Sequence, residues 1–315
     1  MIFLNELRGK TDQFMKSIQL KDFVPFSIEH RDIVLPFIRN NPLCDYNFVN
    51  LLLWGGSYDL RFKIHEDLLF IYNFRDDFLY MPLGRQISLM DIVRFSDHFM
   101  SQGASGNLVL VPEQFVEANC GNNRFFKTEL DHEDANYIYL TSATIALKGT
   151  RLRKKRNHIS HFRAENPDYQ VRVIVPDLFD DCHALIDKWA VSKQKSDDET
   201  RMFLAMENIA LDMAFRFYEK LELSGLGIYI GDSLAGLSIY SSQTSDMASI
   251  HFEKYDPDIR ASSPAITWET ARHLEKRYKY LNREQDLALD GLRKAKRAWD
   301  PVDMVNTYLM FRKND

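Results

Sequence analysis

The chain has 315 residues, 45% of them hydrophobic and 27% charged, which is enough apolar material for a large core and a length that favours two domains. Its formal net charge of −5 argues against non-specific duplex binding, because that binding strengthens with the number of phosphates neutralised. The three cysteines lie far apart and include no C-x-x-C pair, which argues against a disulfide framework and a cysteine-based zinc site.

The hydropathy of the chain indicates where in the cell we expect the protein. The opening MIFLNELRGKTDQFMK lacks the apolar run of a secretory signal, and the longest apolar stretch, FVNLLLW, is too short to span a bilayer. We therefore expect a soluble, cytoplasmic protein without a transmembrane segment, and peripheral contact with a membrane stays open.

Extended and helical patterns alternate through the first half. They predict a strand at DFVPFSI, a helix at IVLPFIRN broken by Pro36, and a short apolar helix at NFVNLLLWGG. Three strands follow at LRFKIH, DLLFIYNF and FLYMPLG, then a helix over 87–103, and strands at NLVLVP and NYIYLT.

The second half repeats this order. The pattern predicts a strand at YQVRVIV, two helices, three strands with a hairpin at Gly231 and Asp232, and then alternating helices and strands to the end. We expect two copies of one α/β fold, at 1–147 and 169–315, joined by a basic helix over 148–168.

Four stretches of sequence carry a family resemblance: YNFVNLLLW, KKRNHISHF, HFEK and YLNREQDLALDGLRKAKRAWDPV. They resemble the phosphatidylglycerol lysyltransferase C-terminal domain family, in particular its stand-alone soluble bacterial members. The resemblance implies tandem GNAT acyltransferase domains, each a mixed, mostly antiparallel sheet flanked by helices. In membrane-linked relatives this domain transfers an aminoacyl group from aminoacyl-tRNA to the phosphatidylglycerol headgroup. The chain departs from the family at Ala261 and Ala288, where glycine is expected, and at Thr267, where asparagine is expected.

The strand ASIHFEKYD holds the candidate catalytic pair. Alternation places Ser249, His251, Glu253 and Tyr255 on one face, so Glu253 could orient His251 as a general base. The competing interpretation is ordinary polar packing between strands.

Candidate substrate-binding residues cluster after the strand YLN. Arg283 suits bidentate capture of a carboxylate or phosphate, and the full set is Asn282, Arg283, Glu284, Asp286, Lys254 and Glu207. Glu207 lies on a long helix, where it faces either the substrate cleft or water.

Basic residues on two helices are candidate contacts for phosphate or tRNA: Lys154, Lys155, Arg156 and Asn157 at the junction, and Arg293 and Lys296 near the end. The alternative is two solvated charged faces. In the last helix, spacing predicts a core stripe of Leu289, Leu292, Ala295 and Trp299, opposite Lys296.

The leading hypothesis is a GNAT-type acyltransferase with a cleft between its halves, which transfers an aminoacyl group directly to a lipid headgroup or small molecule. Aminoacyl-tRNA and acyl-CoA both stay open as donors, and no cofactor or metal is assigned. An acetyl-CoA enzyme is disfavoured, because RASSPA has no glycine and reads as a helix start capped by Ser263. A third hypothesis is a non-enzymatic ligand-binding or regulatory protein.

Overall fold

The computed structural model describes residues 14–121, 123–193 and 197–313. The opening segment 1–13, which includes most of the stretch considered as a signal sequence, lies outside these residues. The helices are α1 (Arg31–Ile38), α2 (Phe48–Leu53), α3 (Leu89–Met100), α4 (Glu113–Asn119), α5 (Thr141–Ala146), α6 (Arg153–Glu165), α7 (Phe179–Ser192), α8 (Asp198–Arg216), α9 (Ser262–Leu274) and α10 (Asp290–Arg297).

The strands are β1 (Val24–Pro25), β2 (Leu60–His65), β3 (Leu68–Asn73), β4 (Phe78–Tyr80), β5 (Leu83–Gly84), β6 (Leu108–Pro112), β7 (Phe126–Leu140), β8 (Gln170–Val173), β9 (Ser224–Ile230), β10 (Ser233–Ser242), β11 (Met247–Tyr255), β12 (Tyr280–Asn282) and β13 (Asp303–Arg312). Short 3-10 helices lie at Leu20–Asp22, Ile28–His30, Cys44–Tyr46 and Pro176–Leu178.

The chain folds into two compact units. One comprises the described residues of 1–38, 54–134 and 306–315, and the other comprises 39–53 and 135–305. This division differs from the predicted domains at 1–147 and 169–315, because α2 packs against α8 within the second unit. Amide and hydroxyl groups hold it there: Asn47 Nδ2 lies 3.3 Å from Ser241 Oγ.

The first unit has a mostly antiparallel sheet in the order β1-β2-β3-β4-β6, to which the end of β13 adds through Thr307 opposite Pro112. Strands β4 and β6 run parallel, with Leu79 opposite Leu108. Helix α3 covers the sheet with Phe95 and Phe99, which pack on strand residues including Phe70.

The second unit repeats this plan in the order β7-β12-β11-β10-β9-β8. Its parallel pair is β11 and β12, with Ser249 opposite Asn282 at its end. The predicted hairpin joins β9 to β10, where Gly231 has φ +59°, a conformation that suits glycine. Helix α9 packs on the strands through Ile266, whose Cβ approaches Gly236 so closely that a side chain there would meet it at 3.0 Å.

The predicted fold class is therefore confirmed: each unit is a mixed, mostly antiparallel sheet flanked by helices. Most predicted elements are present, and the run FLYMPLG forms β4 and β5 instead of one strand, but α4, α5 and the first half of β7 were missed, because short or polar segments carry a weak periodic signal. None of the helices in the described ranges is long and apolar enough to cross a membrane.

Three local predictions need correction. Pro36 lies inside α1 and does not break it, and the basic helix α6 begins at Arg153, after a turn that includes Gly149 at φ +84°. Ser263 is not the N-cap of α9. The N-cap is Ala261, whose left-handed φ of +61° ends the preceding turn, and the helix begins one residue before Ser263.

Candidate functional site

The site lies in the second unit, where the parallel strands β11 and β12 part. They pair only from Met247 opposite Tyr280 to Ser249 opposite Asn282, although β11 continues to Tyr255. Beyond that point the gap is bridged by side chains instead of backbone hydrogen bonds. A place where backbone pairing stops and charged groups converge is where a ligand can enter a sheet.

His251 is the extra residue of a β-bulge. Ile239 pairs with Phe252 and Tyr240 pairs with Ile250, so His251 has no partner residue on β10. A bulge of this kind interrupts the alternation of side chains along the strand.

The bulge puts His251 and Glu253 on opposite sides of the sheet, which corrects the predicted shared face. Glu253 pairs with Ser238, which shares the α9 side of β10 with Gly236. His251 instead bonds Ser241, which faces the other side. The pattern rule failed because it assumed unbroken alternation from Ser249 to Tyr255.

His251 is the centre of a buried hydrogen-bond network, with a side chain that is 0% exposed. Its Nδ1 lies 2.9 Å from Glu284 Oε1 and 3.1 Å from Asn50 Oδ1, and its Nε2 lies 2.8 Å from Ser241 Oγ. Glu284 Oε1 also accepts bonds from Asn50 Nδ2 at 2.8 Å and Ser249 Oγ at 3.0 Å. The carboxylate that orients His251 is therefore Glu284, and Glu253 has another partner.

Glu284 is fixed by its backbone as well as its side chain. Its φ is +59°, its N–H donates to Asn282 Oδ1 at 2.8 Å, and its carbonyl accepts from Tyr137 N at 3.2 Å. Non-glycine residues held in this conformation are uncommon and need such support. The carboxylate is thus preorganised toward the imidazole.

Glu253 holds Arg283. The carboxylate Oε2 accepts from both Nε, at 2.9 Å, and Nη2 of the guanidinium. The guanidinium carbon lies 5.6 Å from the centroid of the Tyr139 ring and 5.7 Å from that of Trp299. Its Nη1 is buried and has no hydrogen-bond partner in the described structure.

Two lysines add positive charge beside Arg283. Lys155 Nζ lies 4.8 Å from the Trp299 ring centroid, and burial together with the charge of Arg283 lowers the pKa of Lys155 to about 8. Burial and Arg283 likewise lower the pKa of Lys296 to about 8, and its ammonium donates to the carbonyls of Arg283 and Gln285. We call Arg283, Lys155, Lys296 and Glu253 the Arg283 cluster; it carries three cations against one carboxylate.

The burial of Lys296 corrects part of the predicted helix stripe, in which Trp299 is buried as predicted. Lys296 and Trp299 are buried, whereas Ala295, expected in the core, is exposed. The physical reason is the pair of backbone carbonyls that the ammonium satisfies, together with the bond from Tyr139 Oη to the Lys296 carbonyl at 2.8 Å.

Three other predicted site residues hold the loop between β12 and α10. Asn282 donates to Asn136 Oδ1 at 2.8 Å and to the Pro42 carbonyl at 3.1 Å. Asp286, 1% exposed, forms a two-pronged ion pair with Arg293 at 2.8 and 2.9 Å. All three have internal partners that account for their polarity.

Lys254 and Glu207 bind each other. Lys254 is 2% exposed, its Nζ lies 2.7 Å from Glu207 Oε2 and 3.6 Å from the Trp189 ring centroid, and burial lowers its pKa. Glu207 therefore faces neither open water nor the Arg283 cluster. On α6, Lys154, Arg156 and Asn157 are exposed, unlike Lys155.

Sequence reasoning missed Ser241, Asn50, Tyr139 and Trp299 as parts of the site. Asn50 had a signal, an amide in the apolar run FVNLLL, and it is 7% exposed in the structure. Ser241 had none, because its relation to His251 depends on the register of β10. Within the described residues no cluster of His, Cys, Asp and Glu has a metal-binding arrangement.

A mostly antiparallel sheet in which a parallel strand pair splays open at a polar site is typical of the GNAT-like class of acyltransferase folds. The sequence matches the family described as phosphatidylglycerol lysyltransferase, C-terminal, over residues 39–311. The chain belongs to this family, which confirms the resemblance.

Several solved structures are similar to this chain in fold. A protein of unknown function from Bacteroides thetaiotaomicron is 28% identical, with a TM-score of 0.81 over 93% of this chain and 99% of that one. The C-terminal domain of an Agrobacterium fabrum protein described as a lysylphosphatidylglycerol synthetase is 15% identical, with a TM-score of 0.63 over 91% and 93%. L-PGS from Bacillus licheniformis is 14% identical, with a TM-score of 0.63 over 92% and 93%. The last two share the fold. No curated protein matches the chain.

Proposed function

We propose that this protein is a GNAT-type acyltransferase that binds an anionic group of its substrate at the Arg283 cluster. The observation that carries the proposal is Arg283 Nη1, a buried cationic donor without a hydrogen-bond partner in the described structure. Leaving such a donor unsatisfied costs about 1–3 kcal/mol. An oxygen of a bound phosphate or carboxylate would recover that free energy.

The charge of the cluster supports the same conclusion. Burial first, and the nearby guanidinium second, lower the pKa of Lys155 and of Lys296 to about 8. A phosphodiester placed among them would stabilise all three charges. Trp299 and Tyr139 flank Arg283 and restrict how the guanidinium can turn.

We infer that the substrate pair is an aminoacyl-tRNA donor and a phosphatidylglycerol-like acceptor. The family name supports the acceptor, whose phosphodiester matches the Arg283 cluster. The exposed Lys154, Arg156 and Asn157 on α6 are suited to contact phosphates of the tRNA.

The start of α9 weighs against an acetyl-CoA donor. A pyrophosphate is gripped by free backbone N–H groups at a helix N-terminus. Here the N–H of Ser262 already donates to the Ile259 carbonyl at 3.2 Å, and Pro264 has no N–H. The side chain of Ala261 also occupies the turn where a glycine would leave the backbone open.

The chemistry needs a base that takes a proton from the acceptor hydroxyl as this attacks the donor ester. His251 is that base in our proposal, with Glu284 as its orienting carboxylate. Glu253 acts by holding Arg283.

The test is an assay of purified protein with lysyl-tRNA and phosphatidylglycerol vesicles, and separately with acetyl-CoA and amines. We expect aminoacyl transfer to the lipid and none from acetyl-CoA. Lys155→Met should raise KM for the lipid about tenfold, since about 1.4 kcal/mol of binding is one factor of ten. Lys276→Met, which removes an exposed lysine beyond α9, is the matched control and should leave KM unchanged.

Two other outcomes would contradict parts of the proposal. Turnover with acetyl-CoA alone refutes the donor assignment. Binding of anionic vesicles that Lys155→Met weakens, without turnover from any aminoacyl-tRNA, supports a ligand-binding protein instead of an enzyme.

A further inference from the structure

The hydrogen bonds around His251 leave no ring nitrogen free for direct contact with a substrate. Both ring nitrogens are occupied, Nδ1 by Glu284 and Asn50 and Nε2 by Ser241, and the side chain is closed to solvent. A substrate hydroxyl therefore has no free ring nitrogen to meet. Any proton that reaches the imidazole has to arrive through a neighbour.

The hydrogen bonds fix the ring tautomer. Asn50 Nδ2 donates to Glu284 Oε1 at 2.8 Å and to the Cys44 carbonyl at 3.1 Å, so Asn50 Oδ1 faces the imidazole as an acceptor. His251 Nδ1 then faces two acceptor oxygens and must carry the hydrogen. Nε2 is consequently left with its lone pair.

Ser241 fills the remaining place. Its Oγ lies 2.8 Å from His251 Nε2, and it receives a bond from Asn47 Nδ2 at 3.3 Å. Because Nε2 carries the lone pair, the Ser241 hydroxyl hydrogen points to the imidazole, and Asn47 Nδ2, whose shorter bond goes to Gln243 Oε1 at 2.8 Å, contacts the hydroxyl oxygen from the other side. A hydroxyl bonded to a histidine whose second nitrogen meets a carboxylate is an activated hydroxyl.

We propose that Ser241, His251 and Glu284 form a proton relay in which the Ser241 hydroxyl, not the imidazole, meets the acceptor. This inference rests on the proposed function and names a catalytic residue that neither the sequence patterns nor the family match assigns. Ser249 is the useful contrast, because its Oγ bonds Glu284 directly at 3.0 Å and is not bonded to the imidazole in the described structure.

The step balances as follows. The acceptor oxygen attacks the ester carbonyl carbon of the donor, its proton passes to Ser241 Oγ, and the original Ser241 proton passes to His251 Nε2. Glu284 stabilises the imidazolium. When the ester C–O bond breaks, the leaving ribose oxygen takes the proton back along the same path, and Ser241 and His251 return to their first state.

The first experiment needs no donor or acceptor. In Ser241→Cys, the thiol lies at His251 Nε2 and should lose its proton to the imidazole, so iodoacetamide should alkylate it at pH 6.5. We expect alkylation, mapped by mass spectrometry, at least tenfold faster than in Ser241→Cys with His251→Gln. Ser249→Cys is the matched control and should show no dependence on His251. Absence of alkylation at position 241 in the folded Ser241→Cys variant, or an equal rate without His251, would overturn the relay.

The second experiment uses the transfer assay. Ser241→Ala should lower kcat about 100-fold, as removal of a general base does, and Ser241→Thr should restore most of it. His251→Gln should match Ser241→Ala, and the double variant should be no slower. If Ser241→Ala keeps half of kcat across pH 6 to 9, the relay is wrong even though transfer occurs. If no donor gives transfer but the thiol is activated, the proposed function fails and the relay stands.

Discussion

Ala288 offers a sharp test of how backbone conformation sets stability in this fold. It is exposed and has φ +56°, in the left-handed region that disfavours a side chain by about 1–2 kcal/mol. Glycine removes that cost but loses about 0.5–1 kcal/mol more conformational freedom on folding. Ala288→Gly should therefore stabilise the protein by about 0.5–1 kcal/mol, a rise of about 2 °C in Tm.

Two matched substitutions separate this effect from a general preference. Gly231→Ala places a side chain at φ +59° with nothing within 4 Å, so it should destabilise by about 0.5–1 kcal/mol. Gly291→Ala lies inside α10 with equal space, and it should stabilise by about 0.5–1 kcal/mol. Urea unfolding followed by circular dichroism gives the three midpoints. If Ala288→Gly destabilises while Gly291→Ala stabilises, the left-handed conformation carries no strain and the reasoning fails.

Four further substitutions test buried charges and one close backbone contact. Glu207→Gln leaves the Lys254 ammonium buried without a counter-charge, so it should lower the free energy of unfolding in urea by about 3 kcal/mol. Lys254→Met removes the charge and should lower it by less than half as much. Equal losses for the two variants would contradict this account. Burial lowers the pKa of Lys296 from its ordinary value of 10.5, which holds in the unfolded chain, to about 8 in the folded protein. Between these two values the unfolded state binds more protons, so stability rises with pH. Lys296→Met should lack about 1.5 kcal/mol of the rise between pH 8 and 9.5, and identical pH profiles would refute that. Gly84→Ala would place Cβ 1.9 Å from the Asp67 carbonyl oxygen at φ +135°, so thermal unfolding should show a loss of about 3 kcal/mol or more, and a native-like Tm would count against the local geometry.

The fold was largely predictable because hydrophobic periodicity is a local property. Alternating and helical runs located both parallel strand pairs, and the residues at Gly231 identified the hairpin. Segment 39–53 could not be assigned in this way, because its place in the second unit depends on hydrogen bonds to residues about two hundred positions away, such as Asn47 with Ser241.

The residues of the candidate site could be predicted from the sequence, but their hydrogen-bond partners could not. His251, Glu253, Arg283 and Glu284 were all named from sequence, and all four line the gap between β11 and β12. Glu253 was expected to bond His251, but Glu284 does so and Glu253 bonds Arg283. The β-bulge that causes this difference has no recognisable pattern in the sequence SIHFEKY. Whether the four residues catalyse a reaction stays a prediction.

The extra residue in β11 also separates the two halves of the proposed site. Arg283 is held on the α9 side of the sheet, and the hydroxyl next to His251 is buried on the opposite side. A molecule lying flat on either surface would meet only one of them. In the proposed function, the headgroup of the acceptor would therefore have to enter between the parted strands, with its phosphate at Arg283 on one side of the sheet and its hydroxyl at Ser241 on the other.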